Sequence, residues 1–404
     1  MPSSRNNTED NSNTCNTGHN NDYSIESSDA HTQMSGSLKR QLMTLIREQP
    51  SAKTGGNPFV SHCSIKSGRP MSTLDVKKIG SGVFLRYGDV RLAFDTGIKG
   101  ETTLLSHPHS DHIGGLRFAH DIIATQATFD TWSARGTEPV AKKTVLDIDD
   151  MFGQIGVNIT PLNAGHVLGS AMFYLEFNDG LTVLYTGDFN NVDSLVHRAA
   201  KPVAADVLIT EATYGEPTWI FPDRRKVYDS ILQAASETIA EGRTPVFSAY
   251  SLGKSQEAIA LLQSGGFRVI SGNTSIDKVC KVYGNHGVSL KHYTMKSVNV
   301  PEALESGAVV VTSSLRNTLA TARHQLDKKS IDRLEQNTDT FNLSGWTLAK
   351  FAERGFPLSA HSDFQGLLDF AKSVDPRVAY VFTDRAGVFS KHLSDSGINA
   401  VALE

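Results

Sequence analysis

Cysteine is scarce in this sequence, and long apolar runs are absent from it. Its 404 residues include three cysteines, Cys15, Cys63 and Cys280, which are far apart and form no CxxC pair. We therefore expect neither a disulfide framework nor a thiolate metal site. No apolar stretch approaches the roughly 20 residues of a membrane span, and the N-terminus lacks the apolar segment of a secretory signal. These absences predict a cytoplasmic protein that does not insert into a membrane.

A large excess of charge of either sign is also missing. Lysine and arginine together number 39 and the acidic residues 43, so the formal net charge is -4. This balance argues against a strongly basic coat for nucleic acid but leaves room for a local basic groove. Hydrophobic residues at 39% and charged residues at 20% are ordinary globular values.

Residues 1–70 differ in composition from the rest of the chain. They are rich in Asn, Ser, Thr, Asp and Gly, and they cannot bury enough apolar area to offset the loss of chain entropy. We expect a disordered polar tail. Within it, the segment 37–46 places Leu38, Leu42, Leu45 and Ile46 on one helical face. This segment is either a docking helix or a short helix without a role.

From about Thr73 the pattern is that of an α/β protein. Gly88-Asp89 and Asn178-Asp179-Gly180 each separate two strand-like runs, which predicts two hairpins. After Tyr214, helices and strands alternate as in a parallel sheet, from about Glu216 to Phe356. The first of these helices is expected to begin at the capping residue Asp223 and to run through Ala240, with the charged run 224–226 facing solvent.

The segment His107-Pro108-His109-Ser110-Asp111-His112 carries the strongest functional signal. It places three imidazoles and a carboxylate directly after the apolar, strand-like run 102–105. Packing does not require four such side chains at the end of a strand, whereas zinc and related metals are bound by these groups. The segment therefore predicts a metal site.

Other ligand-type residues also follow buried strands or lie in glycine-flanked loops. Active sites of α/β folds gather at such strand ends. These residues are His166, Asp188, Glu211, His361 and Asp363.

Together these residues suggest a metal-assisted hydrolase. His107, His109 and His166 can supply imidazoles to one metal, Asp188 can reach two metals, and Asp111 and His112 can face the second. Two metals roughly 3.5–4 Å apart lower the pKa of a water and aim it at phosphorus or a carbonyl carbon. Either Asp363 or Glu211 could hold His361 in the tautomer that protonates a leaving oxygen.

The order HxHxDH, GHxxGS and YTGD resembles that of the metallo-β-lactamase fold hydrolases. The added segments EATYG and SAHSD, with an α/β insertion between them, resemble the β-CASP nucleases. That group includes the cleavage-and-polyadenylation endonuclease, bacterial ribonuclease J and the DNA-processing Artemis branch. The runs ATYGEP, SLGKSQEAIALL and FPLSAHSDF are most similar to short archaeal members described as RNA-processing exonucleases. The resemblance extends from about Thr73 to the C-terminus.

The resemblance implies an αββα sandwich with an inserted β-CASP α/β domain. Residues 71–215 would form the first part of the sandwich, 216–356 the β-CASP domain and 357–404 the last part of the sandwich. It also implies individual roles. His107, His109 and His166 would bind the first zinc, Asp111 and His112 the second, and Asp188 would bridge them, while Glu211 would support the proton donor His361. Asp111, His361 and Glu211 are the expected catalytic residues.

One position departs from the family pattern. RNA-processing members usually have a histidine, a ligand of the second metal, at the end of the strand that follows SAHxD. Here that strand is followed by Thr383-Asp384-Arg385, so Asp384 is the available oxygen ligand, and His392 is expected on a helix surface. We therefore expect one tight zinc and a second, weaker one. DNA-acting members of the family also tend to lack this histidine.

The sequence thus predicts a zinc-dependent nuclease that hydrolyses phosphodiester bonds. Single-stranded RNA is the favoured substrate and partner, and a homodimer is compatible with the pattern. A DNA exonuclease of repair, a metallohydrolase for a thioester or lactone, and a weakened nucleic-acid-binding subunit stay open as alternatives. Lys254 and Ser255 are candidate substrate contacts because they open a predicted helix, where N–H groups and a cation suit a phosphate. Ser313 and Arg316, which follow a predicted strand of the insertion, are further candidates.

Overall fold

The computed structural model describes residues 74–136, 141–350 and 354–404, without the side chains of residues 349 and 350. The polar tail and the possible docking helix lie outside these residues. In the described part of the chain, no helix is long and apolar enough to cross a membrane.

The described residues form three sheets, which contain nineteen strands. The first sheet contains β1 (Leu74–Ile79), β2 (Gly82–Tyr87), β3 (Val90–Phe94), β4 (Thr102–Leu104), β5 (Asp121–Ala124) and β6 (Lys142–Val145). The second contains β7 (Phe152–Gln154), β8 (Val157–Asn163), β9 (Ala171–Phe177), β10 (Thr182–Tyr185), β11 (Val207–Thr210), β18 (Val378–Val381) and β19 (Ala400–Ala402). The third contains β12 (Thr244–Ser248), β13 (Val269–Ser271), β14 (Tyr293–Thr294), β15 (Val309–Thr312), β16 (Thr338–Leu343) and β17 (Gly355–Phe356).

Eleven helices accompany these strands in the described residues, together with a short 3₁₀ turn, Leu116–Phe118. The helices are α1 (Ser110–Ile113), α2 (Gln126–Ala134), α3 (Arg224–Ala240), α4 (Lys254–Ser264), α5 (Thr274–Asn285), α6 (Val300–Glu305), α7 (Leu315–Ala322), α8 (Lys328–Gln336), α9 (Thr347–Lys350), α10 (Phe364–Val374) and α11 (Ala386–Asp395).

The first two sheets pack face to face. Alternating apolar residues on each strand direct one face inward, and residues such as Leu85 and Phe94 of the first sheet share a core with Phe173 and Val183 of the second. Helix α2 covers the outer face of the first sheet through Phe129. Helices α10 and α11 cover the outer face of the second. This arrangement is the expected αββα sandwich, and the fold class is confirmed.

The third sheet is formed by residues between β11 and β18, so it is inserted in the sequence of the second. Its strand order is β14-β13-β15-β12-β16-β17, and all of its ladders are parallel. Parallel sheets bury both faces. Helices α3 to α5 pack on one face, and α6 to α8 on the other.

Both predicted hairpins form. Strands β2 and β3 are joined at Gly88-Asp89, and β9 and β10 flank Asn178-Asp179-Gly180. Helix α3 begins after Asp223, whose carboxylate accepts from the backbone N–H groups of Arg225 and Lys226, and it ends at Ala240 as expected. The sequence signals were strong here because turn and cap chemistry is local.

Candidate metal centre

The predicted metal ligands are carried by segments that follow strands of both sheets in the sandwich. His107 and His109 lie between β4 and the short helix α1, which carries Asp111 and His112. His166 lies in the loop between β8 and β9, and Asp188 lies just beyond β10. The two sheets therefore bring all of these predicted ligands to one edge of the sandwich.

Three imidazole nitrogens converge at this edge. Nδ1 of His109 lies 2.9 Å from Nε2 of His107 and 3.1 Å from Nε2 of His166. A carboxylate oxygen of Asp188 lies 3.6 Å from the first of these Nε2 atoms and 3.8 Å from the second. All four ligand atoms are within 4.8 Å of one another. Three nitrogens and one oxygen are a complete tetrahedral donor set for a metal such as zinc.

In His166 and His109, the ring nitrogen that points away from the centre makes a hydrogen bond, and this bond fixes the tautomer of the ring. Nδ1 of His166 donates to the carbonyl of Ala360 at 2.8 Å, and Nε2 of His109 lies 3.4 Å from the carbonyl of Leu252. A carbonyl oxygen only accepts. The converging nitrogens, Nε2 of His166 and Nδ1 of His109, therefore carry lone pairs.

The same holds for His107. The hydroxyl of Ser106 donates to Asp95 at 2.6 Å, so it accepts from Nδ1 of His107 at 3.0 Å. Nε2 of His107 then carries the lone pair that faces the other two rings. Hydrogen bonds outside the ligand set thus orient all three rings for a metal.

The electrostatics favour neutral imidazoles, the form that binds a metal. Burial lowers the pKa of His109 to about 3. Burial, reinforced by neighbouring histidines, also lowers the pKa values of His107 and His166 well below their usual range. At neutral pH these rings are therefore uncharged.

Asp95 is a residue of the site that sequence reasoning missed. It is completely buried and accepts hydrogen bonds from the hydroxyl of Tyr185 at 2.8 Å and from the backbone N–H of Ser106 at 2.7 Å. Its carboxylate also lies 2.8 Å from Nδ1 of His112, which turns Nε2 of that ring toward Asp188 at 3.2 Å. Its position at the end of β3 could have marked Asp95 as a candidate. Its partners Tyr185, Ser106 and His112 could not be predicted, because they lie in other segments of the chain.

His112 and Asp188 have opposite pKa shifts. Although burial opposes both shifts, Asp188 and then Asp95 raise the pKa of His112, while His112 and then His361 lower the pKa of Asp188. Asp188 therefore stays ionised between His112 on one side and His107 and His166 on the other. Asp111 is more open, with a side chain that is 68% exposed and lies 3.7 Å from Nε2 of His112.

His361 lies next to the metal centre and pairs with Glu211. Its Nδ1 lies 3.0 Å from a carboxylate oxygen of Glu211, and its Nε2 lies 4.0 Å from Asp188. Although burial acts against it, Glu211 raises the pKa of His361. Between the two candidates left open by the sequence, Glu211 makes this contact. Asp363 instead caps α10 and accepts from the backbone N–H of Phe221 at 2.9 Å.

Asp384 does not join the ligands. It is exposed in the turn after β18, and the ligand clusters of the described residues do not include it. The neighbouring Thr383 hydroxyl accepts from the backbone N–H of Ala212 at 2.9 Å, so this turn holds the loop after β11. His392 lies on α11 as expected, half-buried against Phe364.

Helix α3 of the insertion reaches the segment before His361 through Arg224, which was expected to face solvent. Its guanidinium makes two hydrogen bonds, of 2.9 and 2.8 Å, with the buried carboxylate of Glu257. It also donates to the carbonyl of Ser359 at 3.1 Å, two residues before His361. The expectation holds for Arg225 and Lys226, which are exposed, and is wrong for Arg224, because a partner 33 residues away cannot be predicted from a local charge run.

A second contact joins helix α5 to the loop of His166. The hydroxyl of Tyr283 accepts from the backbone N–H of Leu168 at 3.2 Å and lies 2.7 Å from Nε2 of His197. Burial lowers the pKa of His197 to about 3, so this imidazole is neutral. Sequence reasoning offered no signal for this contact.

The four candidate substrate contacts follow β12 and β15, which are neighbours in the third sheet. Lys254 opens α4 and is 7% exposed. Ser255 is completely buried and its hydroxyl donates to the carbonyl of Tyr250 at 2.7 Å, so it holds the helix start rather than a ligand. Ser313 directly follows β15 and Arg316 lies in the first turn of α7, and both are exposed.

Several proteins are similar to parts of this chain, although no model of a protein family matches it. A probable DNA ligase of Opitutus terrae is 29% identical over 321 residues, which are 76% of this chain and 29% of that protein. An RNase J-like protein of Methanocaldococcus jannaschii is 32% identical over 41% of this chain and 44% of its own length. Subunit 3 of the cleavage and polyadenylation specificity factor of Dictyostelium discoideum is 28% identical over 47% of this chain and 32% of its own length. The chain therefore spans less than half the length of these three relatives.

A solved structure shares the fold. The crystal structure of a protein of unknown function from Enterococcus faecalis has a TM-score of 0.56 and 12% identity, and the match covers 81% of this chain and 97% of that one.

Endoribonucleases named YSH1 of two yeasts, Candida glabrata and Saccharomyces cerevisiae, match 31% and 41% of the chain. In the order of its motifs and in these partial matches, the chain is similar to β-CASP nucleases of the metallo-β-lactamase superfamily.

Proposed function

We propose that this chain is a zinc-dependent nuclease that hydrolyses phosphodiester bonds in single-stranded RNA. The observation that carries the proposal is a complete donor set beside a proton donor. Three ring nitrogens with free lone pairs face Asp188, and Nε2 of His361 lies 4.0 Å from the same carboxylate.

This arrangement suits the chemistry of a phosphodiester. A metal held by His107, His109, His166 and Asp188 would lower the pKa of a water and neutralise charge at phosphorus. His361, oriented and kept protonated by Glu211, would give its proton to the leaving oxygen. Asp111 and His112 are the proposed ligands of a second metal.

The proposed substrate class draws on the relatives. They include an RNase J-like protein and endoribonucleases, which favours RNA. The inserted sheet also favours a polymer over a small ester, because the loop after β12 lies beside His109 and extends the surface next to the centre.

DNA is the second candidate, and two observations favour it. The relative named a probable DNA ligase matches 76% of this chain, more than the RNA-processing relatives do. The position after β18 holds Thr383 and Asp384 instead of the histidine that is usual in RNA-processing members.

A digest of end-labelled single-stranded RNA and DNA of one sequence tests the proposal, with and without a chelator. Cleavage of RNA that the chelator abolishes supports it, and preferential cleavage of DNA supports the second candidate. Turnover of a thioester or lactone without cleavage of either polymer would overturn the nuclease assignment. Binding of polymer without cleavage by the metal-loaded protein would indicate a weakened binding subunit.

Zinc content provides a separate prediction. After dialysis without chelator, elemental analysis should find at least one zinc per chain, because the first site has four protein ligands. A second ion should bind more loosely, since Asp111 is exposed and Asp384 does not reach the centre. Substoichiometric zinc would contradict the first site, and two equally tight ions would contradict the weaker second site.

Cytoplasmic location and a homodimer are also part of the proposal and stay predictions. Light scattering of the purified chain would measure the assembly directly.

A further inference from the structure

An exposed aromatic ring stands beside the metal centre and has no part in the chemistry described above. Tyr250 is 68% exposed, and its ring centroid lies 6.4 Å from that of His109. Single exposed aromatic residues are common on protein surfaces. Tyr250 differs because its backbone is held firmly while its ring faces solvent.

The loop that carries Tyr250 is fixed at several points. The carbonyl of Tyr250 accepts from the Ser255 hydroxyl, and the Gln256 side chain bonds both the carbonyl of Ser251, at 3.0 Å, and the N–H of Gly253, at 2.7 Å. A Cβ at position 253 would lie 2.7 Å from Val167, next to the ligand His166. The loop therefore packs directly against the metal-binding loop.

Lys254 completes this feature. Its ammonium lies 4.5 Å from the centroid of the Tyr250 ring, and within the described residues it makes no hydrogen bond or ion pair. The side chain is almost entirely buried, and its positive charge acts to lower the pKa of His361. Burial, partly offset by Glu257, lowers the pKa of Lys254 to about 8. A cation held in this way lacks an anionic partner at its tip.

We propose that Tyr250 and Lys254 form a nucleotide subsite in which an unpaired base stacks on the Tyr250 ring and the phosphate next to the scissile one contacts the Lys254 ammonium. This inference rests on the proposed nuclease function and adds where the substrate is held. The ammonium lies beside the Tyr250 ring, and that ring lies beside His109, so a base and a phosphate of one nucleotide could contact both groups at the edge of the metal centre.

The subsite has consequences for the substrate. Every base has a π-face, so stacking tolerates any sequence. A base that stacks on Tyr250 cannot stay in a duplex, so the strand must be single at this position.

The first test compares Tyr250→Ala with Tyr250→Phe. Affinity is measured by fluorescence anisotropy with a labelled single-stranded oligonucleotide, on metal-loaded protein that also carries His361→Ala to prevent cleavage. Tyr250→Ala should weaken binding by roughly 5- to 150-fold, the range of base–aromatic stacking, and Tyr250→Phe should bind like the parent. Tyr293→Ala is the matched control, because β14 is three strands from β12 in the sheet.

Oligonucleotides with one abasic site separate stacking from a structural role. Moving the abasic site along the strand should reveal one position at which the Tyr250→Ala variant and the parent bind alike. An equal loss at every position, or a loss also in Tyr250→Phe, would overturn the stacking role.

Lys254→Met should flatten the dependence of log affinity on log salt by about 0.7, the contribution of one phosphate contact on a single strand. Lys226→Met, which neutralises an exposed charge at the start of α3, should leave the slope unchanged. An unchanged slope in Lys254→Met would overturn the phosphate contact. If the parent cuts polymer but Tyr250→Ala binds normally, this inference fails and the nuclease proposal stands. If the parent neither binds nor cuts polymer, both fail.

Discussion

Replacing Asp188 with asparagine should reduce bound zinc to well below one ion per chain and polymer cleavage to background. A carboxylate oxygen of Asp188 lies 3.2 Å from Nε2 of His112, 3.6 Å from Nε2 of His107 and 3.8 Å from Nε2 of His166. An amide is a poor substitute because it is uncharged and cannot offset the charge of a metal ion in a buried site. The measurement is elemental analysis together with the digest of end-labelled RNA.

Asp193→Asn is the matched control. Asp193 is exposed five residues further along the chain and accepts from the backbone N–H of Ala199 at 2.8 Å, so it should keep both zinc and activity. Full zinc occupancy in Asp188→Asn would show that the three histidines suffice for the first site and would remove the bridging role.

Replacing His361 with alanine should lower turnover by roughly 10²- to 10⁴-fold, the usual contribution of a general acid. The zinc content should not change, because His361 is oriented by Glu211 and is not one of the first four ligands. His120→Ala, at an exposed histidine, should retain full turnover. Loss of zinc in His361→Ala would make this residue a ligand, and unchanged turnover would make it structural.

The pH dependence of turnover in the Glu211→Gln variant tests whether Glu211 keeps His361 protonated. A general acid acts while protonated, so turnover falls as pH rises through its pKa. Glu211 raises the pKa of His361, and its removal should therefore move the alkaline limb of the rate profile to lower pH. If the alkaline limb lies at the same pH in both proteins, it does not report the ionisation of His361.

The local parts of the fold were predictable from the sequence. The hairpins, the start of α3 at Asp223 and the strands that precede the ligands depend on turns, caps and apolar runs within a few residues. The positions of the candidate ligands followed from the same reasoning, because strand ends of the two sheets meet at one edge of the sandwich.

The contacts that orient those ligands could not be predicted. Asp95 holds His112 and Ser106, Arg224 reaches the backbone near His361, and Tyr283 holds the loop of His166. Each joins segments that are distant in sequence, and neither periodicity nor composition records such pairs. Arg224 shows the difficulty, because it lies in a charge run that reads as surface and yet is paired with a buried carboxylate.

The pairing of β11 with β18 determines when the centre can form during synthesis. His166 depends on the carbonyl of Ala360, 194 residues later, and Glu211 meets His361 across 150 residues. At translation rates of about 5–20 residues per second, about 10–40 s separate the synthesis of His166 and Ala360. A ribosome-bound or stalled chain therefore carries most of the ligands but neither the proton donor nor the strand that positions it. Such nascent chains should be inert, and activity should appear only when β18 has left the ribosome and docked on β11.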